Sequence, residues 1–264
     1  MSLVFSAIVP HPPLLIPSIG REHAKELDKT RSSYEKISTL LALSGAETIV
    51  IISPHLSAFP ETFLINYSPA YETHFIEFGD FSESREYAPD HQLIEAIRNR
   101  ALEEEQKINL VNEVHLDYGS GVPLYFLPER GRKIQIVVVS PTAGDAKAQF
   151  AFGRIVKDAV LNSSKKIAVI CSADLSHRHT SESAFGFSAK AKVFDDMIVA
   201  NLSAGSASPI LRIDESLANE AHACGFRPIA MMLGVMDKID CRPELLSYEA
   251  PFGVGYATMA FHLK

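Results

Sequence analysis

The sequence predicts an α/β fold, a single domain over residues 1–264 with a mostly parallel central sheet and helices on both faces. Two observations carry this expectation. The short runs Glu47–Ile52, Ile134–Val139 and Ile167–Cys171 are hydrophobic without alternation, as in strands covered on both sides. Amphipathic segments of helical period separate such runs, and alternating strands and helices favour parallel pairing.

Ser2–Val9 reads as the first strand, ended by a proline-rich loop. A helix follows from about Arg21 to Ser44, with Leu27, Tyr34, Ile37 and Leu41 on one face. After the strand Glu47–Ile52, the aromatic-rich stretch Phe63–Phe81 reads as edge strands or a long loop. Asp90–Glu105 is predicted helical with Asp90 as N-cap, and Asp145–Leu161 helical with Asp145 as N-cap. The strands Ile134–Val139 and Ile167–Cys171 flank the second of these. Lys190–Leu202 and Glu215–Met236 are further helices, and Tyr256–Leu263 a last strand. No repeat, low-complexity tract or linker divides the chain.

Composition narrows the function classes. The 264 residues are 47% hydrophobic, ample for a core, yet no apolar run approaches the ~18 residues a membrane span requires. The net charge is −7 and no Lys/Arg stripe is present, which argues against nucleic acid as a partner. Three cysteines do not suggest a disulfide framework. The start lacks the basic and small-residue segments of a secretory signal, so a reducing cytoplasm is expected.

Three histidines stand out. His11 in VPHPPLLIP, His55 in IVIISPH and His177 in IAVICSADLSH each follow a strand-like run. Ligands bind at strand carboxyl ends in open α/β sheets, and imidazoles gathered there suit a metal. The alternative for each is a histidine that caps a turn beside proline.

Together with LDYGSGVPL at 116–124, SADLSHR at 172–178 and CGFRPIAMMLG at 224–234, these motifs resemble the class III extradiol ring-cleavage dioxygenase superfamily of the LigB type. More closely they resemble its Memo-like branch, the AmmeMemoRadiSam system protein B group. The resemblance runs from residue 7 to the terminal VGYATMAF. It implies a LigB-like domain in which His11 and His55 ligate Fe(II), His177 acts as acid and base, and a small aromatic diol reacts with dioxygen. It also implies assembly into a homo-oligomer, although no interface is identifiable. An imidazole suits the proton transfer because its ordinary pKa is about 6.5. Asp174 either orients the His177 ring or a metal-bound water, or bonds its own backbone in a turn. His179 reads as a solvent-facing neighbour.

The third ligand is open between residues of Asn219–Gly225. In a continuous helix Glu220 and Cys224 share a face at i, i+4, and His222 points elsewhere. The ring-cleaving enzymes are implied to place a glutamate near the Cys224–Gly225 position, and Memo-like proteins a cysteine. Cys224 is the preferred ligand and Glu220 its substitute, unless Cys224 is a small buried core residue. A thiolate shifts preference from Fe(II) toward Zn or Cu. A second departure is Tyr118, where the ring-cleaving relatives are implied to carry a histidine. Its phenol can donate a hydrogen bond but cannot act as an imidazole acid. His115 could fill that role if the segment turns, or lie on the surface.

Two functions therefore follow: an extradiol dioxygenase, favoured by the three histidines, and a Memo-like metal-binding protein without ring cleavage, favoured by Cys224 and Tyr118. Metal-dependent hydrolysis is a lesser third. Among other features, Gly253-Val-Gly255-Tyr256 suggests a tight approach into the last strand, with Glu249 bordering the pocket. Phe63, Phe75, Phe78 and Phe81 read as a satellite core or an aromatic wall. Cys171 reads as core and Cys241 as exposed.

Overall fold

A computed structural model describes residues 2–56, 61–128 and 131–264. In chain order the elements are β1 (Leu3–Val9), α1 (Pro17–Gly20), α2 (Asp28–Ser44), β2 (Thr48–Ile52), β3 (Phe63–Asn66), β4 (Tyr71–Phe75) and β5 (Asp80–Pro89). Then come α3 (His91–Glu103), β6 (Ile108–Val111), α4 (Tyr118–Phe126), β7 (Gln135–Ser140), α5 (Ala146–Leu161), β8 (Ile167–Ser172) and α6 (Ala189–Ser203). The chain ends with α7 (Ala207–Ile210), α8 (Glu215–Ala221), α9 (Phe226–Val235), β9 (Cys241–Glu249) and β10 (Tyr256–Leu263).

The sheet runs β4-β5-β7-β2-β8-β1-β10-β9. Its centre, β5 through β1, is parallel, and its β1-β10-β9 flank is antiparallel. The sheet is thus mixed, where the sequence suggested mostly parallel pairing. The physical reason is connection length: β9 and β10 are joined by a short turn, which permits only antiparallel pairing, whereas parallel neighbours need a crossover. β3 and β5 share one edge of β7, β3 antiparallel at its carboxyl end and β5 parallel at its start.

Strand residues alternate between two cores. Val50 and Ile52 face α3, α5, α6 and α9 through Ile94, Phe152, Ile198 and Ile229. Ile49 and Ile51 face α2 and α4 through Tyr34, Ile37 and Val122. Burial on both sides explains the unbroken apolar runs. The expected caps are present: the Asp90 carboxylate accepts from Leu93 N and that of Asp145 from Ala148 N. No helix among the described residues is long and apolar enough to cross a membrane.

Two local outcomes depart from the sequence pattern. The predicted helix over Glu215–Met236 is broken: α8 ends in His222, whose backbone is left-handed (φ 52°, ψ 46°), and α9 restarts at Phe226. LDYGSGVPL holds α4 despite two glycines and a proline, because Asp117 caps it by accepting from Ser120 N and Oγ. Phe63 and Phe75 are buried core residues, and Phe81 is exposed.

Candidate metal centre

The site is assembled by strand register. β1 and β8 pair with Val9 opposite Ser172, and β2 and β8 pair with Ile52 opposite Cys171. The carboxyl ends of β2, β8 and β1 therefore lie side by side. The residues just beyond them are His55, Asp174 and His11.

His11 is 1% exposed. Its backbone N–H donates to Asp174 Oδ1 at 2.7 Å, and Pro10 just before it accepts the Tyr34 hydroxyl. Its Nδ1 lies 2.8 Å from Ser172 Oγ, which in turn donates to the Gly119 carbonyl at 2.5 Å. A carbonyl only accepts, so the single Ser172 proton is committed to Gly119. Ser172 must therefore accept from His11 Nδ1–H, which leaves Nε2 as a bare lone pair. Fixing a ligand imidazole through its other nitrogen is a recurring device of metal sites.

His55 stacks on Tyr118 (centroids 4.5 Å apart, 23° between planes), and its Nε2 lies 3.2 Å from His11 Nε2. With the His11 nitrogen bare, that approach is favourable only with a proton or a cation between the two. The backbone around His55 is tied down through Ser53, which donates to Asp117 Oδ1 at 2.6 Å. Gly119 permits this packing, since a Cβ there would meet Ser53 Oγ at 2.6 Å and His55 Cδ2 at 3.1 Å.

The break between α8 and α9 delivers the third donor. Cys224 Sγ lies 3.6 Å from His11 Nε2, and donor atoms of His11, His55 and Cys224 all fall within 4.8 Å of one another. Gly225 donates from its N–H to the Asp174 carbonyl at 2.8 Å. A Cβ at Gly225 would sit 2.4 Å from that carbonyl oxygen, so the corner seats on the β8 extension only with glycine. A carboxylate is also at hand: Asp174 Oδ2 lies 3.6 Å from His11 Nε2.

Burial sets the electrostatics. It pushes His11 well below the ordinary imidazole value, with His55 and His177 acting in the same direction. It lowers His55, opposed by Asp117. It raises Asp174 to about 7, opposed by the His11 N–H, and holds the Cys224 thiol well above its usual range. His11, His55 and Cys224 are thus neutral without a cation. An arriving metal would displace protons from the thiol or carboxyl, the usual coupling of metal binding to pKa.

His177 presents Nδ1 to the Leu175 carbonyl at 3.0 Å, which fixes the proton there in the neutral ring and makes Nε2 the basic nitrogen. Burial lowers its pKa, partly offset by that carbonyl. A cavity of about 500 Å³ opens beside the donors, lined by His55, Tyr118, His177, Phe185, His222 and Cys224. Burial, with nearby Cys224 and Asp174, raises the Tyr118 phenol, which therefore remains a hydrogen-bond donor.

Several residues sit elsewhere than the sequence suggested. Glu220 faces away from the donors: its carboxylate accepts from Ser188 Oγ at 2.8 Å and pairs with Arg178 at 3.2 Å. The helix break removes the i, i+4 relation that had made it a substitute for Cys224. The His115 side chain is 62% exposed and pairs with Glu72 at 3.3 Å, outside the cavity. His179 is sheltered, with Nε2 2.7 Å from the fully buried Asp195 carboxylate. Glu249 accepts from Thr30 N and Oγ1 rather than bordering the cavity. Conversely, the ring of His222 lines the cavity, as does Phe185. Sequence reasoning passed over Ser172 and Phe185; SADLSH drew attention to its aspartate and histidine, and nothing marked the serine ending the strand.

A larger cavity of about 950 Å³ lies at the opposite, amino-terminal edge of the sheet, beside Glu47, Arg132, Gln135 and Lys165. Two of its cations are engaged, Lys165 with Asp90 and Gln135 and Arg132 with the Ala46 carbonyl. Among the described residues it gathers no comparable donor set.

Comparison with known proteins gives three findings. The sequence model of the family described as the catalytic LigB subunit of aromatic ring-opening dioxygenase matches residues 6–259. Protein CA_C1420 of Clostridium acetobutylicum is 31% identical over 268 residues, covering 98% of this chain and 57% of the relative. The chain thus spans little more than half the length of that curated relative. The crystal structure of the uncharacterized protein JW3007 from Escherichia coli K12 superposes with a TM-score of 0.69 at 16% identity, covering 97% of this chain and 99% of the other. That likeness concerns the fold alone.

Proposed function

Because the chain belongs to the LigB family of aromatic ring-opening dioxygenase catalytic subunits, we propose that it is a non-haem iron extradiol dioxygenase acting on a catechol-type substrate in the cytoplasm. The observation that carries this reading is the approach of His11 Nε2 to His55 Nε2 at 3.2 Å, with the Cys224 thiol 3.6 Å from the former, beside an open cavity. His11 and His55 would hold the metal, completed by Cys224 or by the Asp174 carboxylate. Fe(II) bound there would supply the redox chemistry that lets dioxygen react with an aromatic ring. His177 Nε2 takes the proton from one substrate hydroxyl and returns it as the ring opens. Tyr118 donates a hydrogen bond to a substrate oxygen. The carbon–carbon bond beside one hydroxyl breaks, and both atoms of dioxygen enter the product.

A second reading is favoured by Cys224 and Tyr118. A His/His/Cys set suits Zn or Cu(I), and a tyrosine replaces the imidazole acid expected of a ring-cleaving enzyme. In that reading the pocket binds metal and a ligand or partner without cleavage. Elemental analysis of anaerobically purified protein, then oxygen uptake with catechols after Fe(II) loading, separates the two. One iron per chain with a yellow ring-opened product supports the dioxygenase. Zinc or copper with no oxygen uptake supports the second reading.

A further inference from the structure

The inner and outer ends of the site cavity differ in chemistry. His55, Tyr118, His177 and Cys224 lie at the inner end, beside His11. At the outer end the ring of Phe185 stacks on that of His222, with centroids 3.5 Å apart and planes inclined by 27°. Both rings stand edge-on to His177, at 6.2 Å and 6.4 Å.

Five observations bear on what this stack does. His222 holds a left-handed backbone, a conformation open to histidine but uncommon outside glycine, and in it the ring reaches Phe185. The loop and helix that carry the two rings are fastened together by Glu220, which bonds Arg178 from one end of the loop and Ser188 from the other. Phe185 nevertheless remains 47% exposed, so a large aromatic surface is left at the cavity mouth. No lysine or arginine lines the cavity among the described residues, and the nearby Arg178 is paired with Glu220. The outer end is thus suited to a flat uncharged group rather than a carboxylate. A cavity of about 500 Å³ also has room for more than one ring, since pockets of ~300–1,000 Å³ hold drug-sized molecules.

Resting on the ring-cleavage reading, we propose that the Phe185–His222 stack is a distal subsite, and that the substrate is a catechol bearing a second planar apolar group seated against it. Aromatic faces and edges in such contact contribute beyond the area they bury.

The test is anaerobic titration calorimetry of the metal-containing protein with catechol, 4-phenylcatechol and 4-phenylphenol. It compares the unaltered chain with Phe185→Ala and His222→Asn, asparagine being chosen because it tolerates the left-handed backbone. Circular dichroism and metal content verify the fold of each variant. The unaltered protein is expected to bind 4-phenylcatechol at least about tenfold more tightly than catechol, with the ratio falling toward one in both variants. A ratio near one in the unaltered protein, or a ratio that survives both substitutions, overturns the subsite. If neither diol binds, the ring-cleavage reading fails on its own, and 4-phenylphenol decides the subsite. Weaker binding of 4-phenylphenol to the variants supports the stack as an aromatic subsite; equal binding, or none, overturns it.

Discussion

Ser172 and His11 stand in a fixed donor–acceptor relation: the serine hydroxyl donates a hydrogen bond to the Gly119 carbonyl and its oxygen accepts one from His11 Nδ1–H. The tautomer of this buried imidazole is thereby set by a residue that does not itself line the cavity. Ser172→Ala should leave the fold intact and weaken metal binding by about 10- to 100-fold, the usual cost of losing such a support. Competition with a chromogenic chelator measures it, and an unchanged affinity would refute the tautomer assignment.

The donor set is separable by stoichiometry. His11→Ala and His55→Ala should each take bound metal toward zero. Cys224→Ala should lower it, whereas Glu220→Gln should leave it at the unaltered level, because Glu220 is spent on Arg178 and Ser188. Metal analysis of the purified variants checks all four. Loss of metal in Glu220→Gln would reverse the assignment.

For His177 the pH dependence has a definite sign. Burial lowers its pKa, so its basic form should persist below the ordinary value of about 6.5. The acidic limb of kcat/KM should accordingly fall on the low side of that value. His177→Ala should keep the metal and lower turnover by about 10²- to 10⁴-fold. An acidic limb above 7 would count against this base.

Away from the site, Asp90 ties three elements together: it caps α3 through Leu93 N, accepts from Thr48 Oγ1 at 2.7 Å, and pairs with Lys165 at 2.8 Å. Burial alone would raise its pKa, yet the bonds from Lys165, Thr48 and Leu93 leave it lowered. A depressed carboxyl stabilises the fold above its unfolded value near 3.9, and that contribution fades as pH falls through the folded value. Asp90→Asn should therefore cost about 1–3 kcal/mol at pH 7. Urea titrations should show the gap narrowing below pH 4.

How much of this was legible beforehand depends on the kind of signal. The central strands announce themselves because burial on both faces leaves only apolar residues, and prolines beside His11 and His55 mark where the chain leaves the sheet. The flank β9–β10 was half visible: β10 is apolar, but β9 contains Arg242, Pro243 and Glu244 and borrows its order from β10. At the site, His11 and His55 were nameable from their position after strand-like runs, and Cys224 from what the family resemblance implied. The relation of Glu220 to Cys224 was not, because it turns on whether His222 continues a helix. Local periodicity favours continuation there, and seating Gly225 against the Asp174 carbonyl overrides it. Ser172 illustrates a different limit, since its role exists only through partners 161 and 53 residues away.

Strand register leads to a last consequence. His11 and His55 are set down by the two strands that flank β8 in one hydrogen-bonded sheet, so their spacing is inherited from the backbone lattice. Cys224 comes instead from a corner between two helices, free to change without disturbing a single ladder bond. The architecture is a socket with two permanent contacts and one replaceable contact. If the three residues hold a metal as proposed, substitution at that one position would retune the softness of the metal they take while the scaffold and the two histidines stay as they are.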